Sequence, residues 1–257
     1  MANSINRSLR NKVAIVTASS DGIGYAIAER LAAEGAKVVI SSRKLENVNR
    51  AVDKLTLKGL NVIGVKCHVS DAADRANLFR ETVEKFGGLD ILVSNAATNP
   101  VAGSILECSE SVWDKIFEVN VKASFLLAKE AAPLIRKRGG GSIIFISSVA
   151  GYYPNKLTGA YSVSKTVLFG LTKAVAQDLV SDNIRVNCVA PGLVRTNFAR
   201  MLYESKEAYA AALDKIPMRR LADAPEIAGV VSFLASNDAS YITGETIAAT
   251  GGQLTRL

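Results

Sequence analysis

The sequence predicts an α/β fold, in which a single doubly wound parallel sheet of about seven strands is covered by helices on both faces. Short runs rich in β-branched residues alternate with longer amphipathic segments along the whole chain. Most of the short runs are apolar throughout, which is typical of strands buried on both faces. The chain has 257 residues, 49% of them hydrophobic, without repeats or low-complexity linkers, so we predict one domain over residues 1–257.

The alternating pattern predicts each element in turn. Strands are predicted at 13–17, 38–41, 62–67, Ile91–Ser94, 142–147, 185–189 and Thr246–Ala249. Helices are predicted between them at 24–34, 45–58, Ala72–Phe86, 111–136, 161–180 and 225–235. Asp71 and Asp223 predict helix starts, because a carboxylate there accepts hydrogen bonds from the free N–H groups of the first turn. Glycines that follow periodic segments predict helix ends: Gly35, Gly59 and Gly87.

Composition excludes several classes of protein. None of the three cysteines belongs to a C-x-x-C pair, which argues against a disulfide framework and a thiolate metal site: Cys67, Cys108 and Cys188. One histidine cannot build a two-histidine metal site, so no metal is predicted. The net charge of +7 comes without a long basic tract, so we expect a solvated basic surface and no nucleic-acid partner. Residues 1–11 are polar and apolar runs are short, so no membrane insertion is expected.

The segment between the first strand and the first helix is rich in glycine and small polar residues. Its sequence is Thr17-Ala18-Ser19-Ser20-Asp21-Gly22-Ile23-Gly24. Gly22 and Gly24 would let the backbone approach a pyrophosphate, and the helix N-terminus supplies N–H donors and positive potential. We therefore predict a Rossmann-type dinucleotide site with contacts from Ser19, Ser20, Asp21, Gly22, Ile23 and Gly24. An ordinary tight turn between a strand and a helix is the alternative.

The second predicted strand leads into Ser42, Arg43 and Lys44. An acidic residue at this point would accept a hydrogen bond from the ribose 2′-hydroxyl of NAD and would repel a 2′-phosphate. The two cations can instead form charge-assisted hydrogen bonds with a phosphate dianion. We therefore expect NADP(H) rather than NAD(H), although Asp21 is at odds with a bound anion. A plain surface turn is the alternative for Arg43 and Lys44.

Two further segments carry candidate catalytic residues. Ser148 follows the fifth predicted strand, and Tyr161-Ser162-Val163-Ser164-Lys165 opens a helix. Tyr161 and Lys165 are four residues apart, so their side chains share one helix face. Free tyrosine has a pKa of about 10, and a neighbouring ammonium favours the phenolate. Tyr161 is therefore predicted to donate or accept a proton near neutral pH.

Together these motifs resemble the short-chain dehydrogenase/reductase family over residues 12–252. The other matching pieces are Asn95-Ala96-Ala97, Asn120 and Pro191-Gly192-Leu193-Val194-Arg195-Thr196. Within that family the sequence is most similar to the subgroup of NADP-dependent carbonyl and retinal reductases. Three residues depart from the broad family, which usually has Gly, Gly and Asp there, but resemble that subgroup: Ala18, Ala97 and His68.

The resemblance implies NADPH-dependent reduction of ketones and dicarbonyls, including aromatic ketones, α-diketones, quinones and retinal. Tyr161 would be the general acid, and Ser148 would hydrogen-bond the substrate oxygen. Lys165 would hold the nicotinamide ribose and lower the pKa of Tyr161, and Asn120 would position a water in a proton relay. His68 and Val69 would lie beside the adenine and Asn95 beside its ribose. The nicotinamide and the phosphates would be contacted by Pro191, Gly192, Val194 and Thr196.

The substrate pocket is expected to use two variable stretches, 152–158 and 197–203, with wall residues Tyr152, Tyr153, Leu157, Phe198, Met201 and Leu202. Such an apolar, aromatic wall suits a bulky carbonyl compound, while ordinary core packing is the alternative for each residue. The predicted helices 111–136 and 161–180 resemble those that pair between subunits in the family, so a homotetramer is expected. The ending Thr255-Arg256-Leu257 resembles a peroxisomal address, so the expected location is the cytoplasm or the peroxisome.

Two other functions fit the same motifs. A 3-oxoacyl-thioester reductase would share the catalytic residues, and a basic pocket rim would mark it because its carrier is long and anionic. A catalytically idle NADP-binding module would keep the fold without turnover. The complete set of Asn120, Ser148, Tyr161 and Lys165 argues against the idle module, because a sensor has no need of it.

Overall fold

The computed structural model describes residues 9–154, 156–203 and 205–253. Over these residues the chain forms seven strands and eight α-helices. The strands are β1 (Val13–Val16), β2 (Lys37–Ser42), β3 (Val62–Lys66), β4 (Ile91–Ser94), β5 (Gly141–Ile146), β6 (Ile184–Pro191) and β7 (Thr246–Ala249). The helices are α1 (Gly22–Ala33), α2 (Leu45–Thr56), α3 (Ala72–Phe86), α4 (Glu110–Phe117), α5 (Ala123–Lys137), α6 (Gly159–Leu179), α7 (Lys206–Asp214) and α8 (Ala224–Ala235).

The strands form one parallel sheet in the order β3-β2-β1-β4-β5-β6-β7. After β3 the chain crosses back to the middle of the sheet, where β4 pairs with β1. The strand order therefore reverses between β1 and β4, and in such sheets ligands bind beyond the carboxyl ends of the strands at that point.

Successive side chains of the central strands point into two apolar layers. Val16 of β1 packs in the layer that contains Ile27 of α1 and Val231 of α8. The preceding residue, Ile15, packs on the other side of the sheet with Leu127 of α5. The alternation follows from the two-residue period of a strand. The predicted doubly wound sheet with helices on both faces is thereby confirmed.

The predicted helix boundaries are set by the expected groups. The carboxylate of Asp71 accepts a hydrogen bond from the N–H of Asp74 at 2.9 Å. At the start of α8 the carboxylate of Glu226 accepts from the N–H of Asp223 at 2.9 Å. The three predicted end glycines have positive φ, a conformation that costs a glycine little: Gly35, Gly59 and Gly87.

The predicted helix at 111–136 is wrong in its continuity. α4 passes into a π-helical turn, Glu118–Lys122, before α5 begins. In this turn the amide nitrogen of Asn120 donates to the carbonyl of Thr98 and to Oγ of Ser164, each at 3.0 Å. A π-turn adds a residue to one turn of the helix, and the hydrophobic period of the flanking helices does not show such a local change.

Among the helical segments that lie where no helix was predicted are the 3₁₀-helix Asn197–Leu202 and α7. No residue of α7 is fully buried, so α7 lacks the apolar stripe on which a sequence-based prediction depends. Over the described ranges no helix is both long and apolar enough to cross a membrane.

Candidate active site

The predicted catalytic residues come together at the carboxyl end of the sheet. Ser148 lies just after β5, and Tyr161 and Lys165 lie in the first turns of α6. The π-helical turn brings Asn120 to the same helix, where its amide nitrogen is 3.0 Å from Oγ of Ser164. Residues from three separate parts of the chain thus meet at one position.

Lys165 is buried, with 2% of its surface exposed. Its Nζ donates to the carbonyl of Ile146 at 2.8 Å and lies 5.5 Å from the ring centre of Tyr161. Burial lowers the pKa of Lys165 to about 8, because water that would solvate the ammonium is excluded. At neutral pH the ammonium form therefore still predominates beside the phenol.

The pKa of Tyr161 lies above its ordinary value in this geometry, and its lowering by Lys165 stays a prediction. Removal of the phenol from water raises the pKa of Tyr161 to about 12, and a hydrogen bond with Ser148 lowers it only in part. The ammonium of Lys165 is directed to the carbonyl of Ile146. Desolvation is thus the larger effect, and Tyr161 keeps its proton at neutral pH.

Two adjacent serines after β5 have different roles. Ser147 is buried, and its hydroxyl donates to the carbonyl of Lys165 at 2.7 Å. Ser148 is partly exposed, and its Oγ accepts from the N–H of Ala150 at 3.1 Å at the start of a 3₁₀ turn. Ser147 therefore fastens α6 to the sheet, while Ser148 is the hydroxyl that interacts with Tyr161.

Asn120 is fully buried, and its side chain connects three segments. Its Oδ1 accepts from the N–H of Thr98 at 2.8 Å, and Ser164, which accepts from its amide nitrogen, donates to the carbonyl of Tyr161 at 2.6 Å. The amide of Asn120 thus holds the loop after β4 against the start of α6. Its contact with a water in a proton relay stays a prediction.

The loop between β1 and α1 is closely packed around Gly24. A Cβ at Gly24 would lie 2.5 Å from the carbonyl oxygen of Ala18 and 2.5 Å from Nδ2 of Asn95. That amide already donates to the carbonyls of Thr17 and Ala18, at 3.0 and 3.1 Å. Gly22 has a φ of +57°. These residues form the tight turn that brings backbone N–H groups of α1 toward a pyrophosphate, so the loop fits a dinucleotide.

The polar groups of Ser19 bond within the protein, and its predicted contact with the cofactor stays a prediction. It is fully buried, its hydroxyl donates to the carbonyl of Val16 at 2.6 Å, and its N–H donates to the carbonyl of Ser41 at 2.9 Å. Its polar groups therefore join β1 to β2. Ser20 is partly exposed in the same loop and stays a predicted contact, as does Ile23.

Three cations lie near the carboxyl ends of β2 and β3. Arg43 and Lys44 follow β2 and are exposed, and neither has an ion pair within the described residues. Lys66, the last residue of β3, is the register partner of Ser42 and is also exposed. Sequence reasoning missed Lys66, because only the pairing of β2 with β3 brings it to this edge.

The predicted adenine contacts, His68 and Val69, follow β3 and are held by the start of α3. The N–H of His68 donates to the carboxylate of Asp74 at 2.8 Å. The carbonyl of Val69 accepts from the buried guanidinium of Arg75 at 2.9 Å, and Arg75 also pairs with Glu130 of α5 at 3.0 Å. Sequence reasoning missed this support because Arg75 reads as an ordinary helix cation.

Of the predicted contacts at the end of β6, Gly192 lines a cavity. The N–H of Gly192 donates to the carbonyl of Ala249 at 2.8 Å, which holds the end of β6 to the end of β7. Val194 is buried and Thr196 is partly exposed. A cavity of about 570 Å³ opens beside Gly192, and its lining includes Leu193, Met218 and Thr250.

Phe198, a predicted wall residue, lies beside the phenol of Tyr161. Its ring centre is 6.0 Å from that of Tyr161, and 60% of its surface is exposed. Tyr152 packs instead against Phe169 of α6, with 4.3 Å between ring centres and a tilt of 30° between the rings. Tyr153 and Leu157 are exposed on the same loop. The side chains of Met201 and Leu202, and the residues 255–257, lie outside the described part of the chain.

Comparison with known proteins agrees with this arrangement. A family model described as "Enoyl-(Acyl carrier protein) reductase" matches residues 17–253. "Dehydrogenase/reductase SDR family member 4" of Oryctolagus cuniculus is 54% identical over 249 residues, which cover 97% of this chain and 96% of that protein. "Tropinone reductase-like 3" of Erythroxylum coca is 52% identical over 253 residues, which cover 98% of this chain and 97% of that protein.

A solved structure of a 7α-hydroxysteroid dehydrogenase, complexed with NADH and 7-oxo glycochenodeoxycholic acid, has the same fold. It superposes with a TM-score of 0.93 at 32% identity, and the match covers 100% of both chains. The family model, the full-length relatives and the fold shared with the solved structure all agree with a site at the carboxyl end of the sheet. The chain therefore belongs to the short-chain dehydrogenase/reductase family of oxidoreductases.

Proposed function

We propose that this protein is an NADPH-dependent carbonyl reductase that reduces bulky ketones, α-diketones, quinones and the aldehyde retinal to the corresponding hydroxyl compounds. The observation that carries the proposal is the convergence of Ser148, Tyr161 and Lys165, with the aromatic ring of Phe198 6.0 Å from that of Tyr161. The identity to "Dehydrogenase/reductase SDR family member 4" supports reduction of a carbonyl group as the reaction class.

In the proposed mechanism the nicotinamide cofactor, when bound, supplies a hydride to the carbonyl carbon. The hydroxyls of Ser148 and Tyr161 donate hydrogen bonds to the carbonyl oxygen, where negative charge grows. The proton of Tyr161 then passes to that oxygen. An alkoxide is a base about as strong as hydroxide, so its conjugate acid is a far weaker acid than a phenol. A tyrosine with a pKa of about 12 therefore gives up its proton readily to the alkoxide, and the ammonium of Lys165 stabilises the phenolate that is left.

The preference for NADPH rests on the three exposed cations. The loop around Gly24 would hold the pyrophosphate, and Arg43, Lys44 and Lys66 would stand beyond β2 and β3 with charge available for a 2′-phosphate. None of the three is neutralised by an ion pair within the part of the chain that the structure describes. A phosphate dianion would bind there through charge-assisted hydrogen bonds.

A homotetramer is part of the proposal. Phe125 of α5 and Val167 of α6 are large apolar residues that stand exposed on the two helices expected to pair between subunits. Burial of such side chains against a second copy would remove apolar surface from water. Sedimentation equilibrium would measure the mass, and a monomer at micromolar concentration would contradict the tetramer.

The test is an absorbance assay of NADPH and NADH oxidation by the purified protein. The panel consists of an aromatic α-diketone, an ortho-quinone, retinal and an acetoacetyl thioester. We expect turnover of the diketone or the quinone with NADPH. Tyr161→Phe should lose at least about a hundredfold in kcat, the lower range for a general acid, and should still bind NADPH. Unchanged turnover in Tyr161→Phe would overturn the role of Tyr161 as the general acid, and NADPH binding without turnover of any compound would favour an idle binding module.

A 3-oxoacyl-thioester reductase is a second candidate because of one basic cavity. A cavity of about 480 Å³ is lined by Tyr153, Pro154, Lys156, Lys215 and Gln253. Its two lysines are exposed and would suit the anionic carrier of a thioester. Turnover of the acetoacetyl thioester that exceeds that of the diketone, and that falls in Lys156→Glu, would favour this candidate.

A further inference from the structure

Asp21 and Asn197 join two segments that serve different parts of the site. Asp21 belongs to the loop before α1, and Asn197 opens the short helix Asn197–Leu202 that carries Phe198. Nδ2 of Asn197 donates to Oδ2 of Asp21 at 2.8 Å. Beside this bond, a Cβ at Gly22 would lie 3.4 Å from Cγ2 of Thr196. One hydrogen bond thus joins the loop before α1 to residues 196–203, which we call the substrate segment, and Thr196 lies close to Gly22 beside it.

The carboxylate of Asp21 stands where an anion would bind. Its Oδ1 accepts from the N–H of Gly22 at 2.8 Å, and this N–H is one of the free donors at the start of α1. Its Oδ2 is held by the neutral amide of Asn197. The amide of Asn197 holds Oδ2 of Asp21 against residues 196–203. Because this amide is neutral, it adds no charge beside a pyrophosphate.

The substrate segment is closed at its other end. The hydroxyl of Tyr203 donates to the carbonyl of Thr196 at 2.8 Å, so residues 196–203 form a loop tied at both ends. Phe198 projects from this loop beside Tyr161. A displacement of Asn197 would therefore shift the aromatic ring of Phe198, which lies beside the proposed proton donor Tyr161.

We propose that Asp21 and Asn197 are positioning residues that couple the cofactor to the substrate. Their hydrogen bond fixes residues 196–203 against the loop before α1, so that tight binding of NADPH and placement of Phe198 beside Tyr161 support each other. The identity of the cofactor and the substrate class rest on the proposed function. Because energetic coupling is reciprocal, weakening the bond lowers both affinities.

The test compares Asn197→Asp with the double variant D21N/N197D. The single variant places two carboxylates within hydrogen-bond distance, and like charges so close repel. The double variant restores one amide, one carboxylate and the net charge, and asparagine is as good as aspartate before a helix. Asn237→Asp, on the exposed Asn237–Ala239 turn after α8, is the matched control for added charge.

The first measurement is the Kd of NADPH from a fluorescence titration without ketone. We expect Asn197→Asp to bind about tenfold more weakly, D21N/N197D to return to within about threefold of the unmodified protein, and Asn237→Asp to bind normally; coupling of this size is usual for residues in contact. The second is cleavage of the free protein by trypsin after the exposed Arg200, which should be faster only in the single variant.

Two results would overturn the coupling: Asn197→Asp binding NADPH as tightly as Asn237→Asp does, or the double variant remaining as weak as the single one. Both measurements are made without a carbonyl substrate. A protein that binds NADPH and reduces no compound of the panel would therefore refute the proposed function, while the rescue in D21N/N197D would still decide whether Asp21 and Asn197 act together.

Discussion

At the scale of single residues, Lys165 shows how the site opposes stability. An ammonium with 2% of its surface exposed has lost most of its water, and one carbonyl, that of Ile146, accepts from it at 2.8 Å. A buried charge with so few partners costs folding free energy. The same ammonium lies 5.5 Å from the ring of Tyr161, where it can stabilise a phenolate. The burial of Lys165 is therefore explained by the proposed stabilisation of a Tyr161 phenolate, and not by a gain in folding free energy.

This cost predicts a pH dependence. Lys165 has a pKa of about 8 in the folded protein, against an ordinary value of 10.5. Below pH 8 it is charged in both folded and unfolded states, and the cost is fully present. Between these values the unfolded chain binds more protons, so stability rises with pH. The free energy of unfolding is measured in urea for the unmodified protein and for Lys165→Met. Between neutral pH and pH 10 it should rise for the unmodified protein relative to the variant. A difference independent of pH would contradict the buried ammonium.

Arg43 permits a second prediction at this scale. Arg43→Glu replaces a cation at the expected 2′-phosphate position by an anion, so kcat/KM for NADPH should fall at least about a hundredfold while that for NADH changes less than about threefold. Arg10→Glu is the control, because Arg10 is exposed and packs near Gly35, before β2. Equal losses with both cofactors would mean that Arg43 does not contact the 2′-phosphate.

At the scale of elements, the loop before α1 works because one glycine has no side chain. In Gly24→Ala the new methyl would meet two groups at 2.5 Å, the carbonyl of Ala18 and the amide of Asn95. We expect both a lower Tm and at least about tenfold weaker NADPH binding, because the loop must shift to relieve the overlap. Gly229→Ala in α8 is the matched control, since its methyl meets only Arg30, at 3.9 Å, and alanine favours a helix. Normal NADPH binding by Gly24→Ala would show that the loop can adapt.

The elements that the sequence predicts well are those with local causes. Caps such as Asp71 depend on neighbouring N–H groups, and the apolar strands depend on burial that any doubly wound sheet provides. The break at Asn120 has a distant cause, because its amide bonds Thr98 and Ser164. The inward orientation of Ser19 depends on β2, a different strand, because the hydroxyl oxygen of Ser19 accepts from the N–H of Ser41 at 3.1 Å. Sequence motifs thus predicted the candidate catalytic residues, while the orientation and the pKa of each side chain required the packed structure.

At the scale of the whole molecule, the amino ends and the carboxyl ends of the strands, called here the amino edge and the carboxyl edge of the sheet, have different roles. β4 shows this within one strand, because Asp90 precedes it and Asn95 follows it. Asp90 is buried, accepts from the N–H of Val13 at 2.8 Å and pairs with Arg138 at 3.3 Å. It therefore joins β1, β4 and the segment before β5 at the amino edge. Asn95 holds the loop before α1 at the carboxyl edge, where the predicted cofactor lies.

Substitutions at the two ends of β4 should therefore separate stability from function. Asp90→Ala leaves a buried N–H and a guanidinium without their acceptor, so the free energy of unfolding should fall by about 2–3 kcal/mol. Its KM for NADPH, measured well below its Tm, should stay within about twofold. Asn95→Ala removes two hydrogen bonds to the loop before α1 and should raise that KM about tenfold, at a cost of about 1–2 kcal/mol in stability. Urea unfolding and steady-state kinetics measure the two quantities independently. If Asp90→Ala raised the KM as much as Asn95→Ala does, the amino edge would also control the site, and the division of the sheet into a stabilising and a functional edge would be wrong.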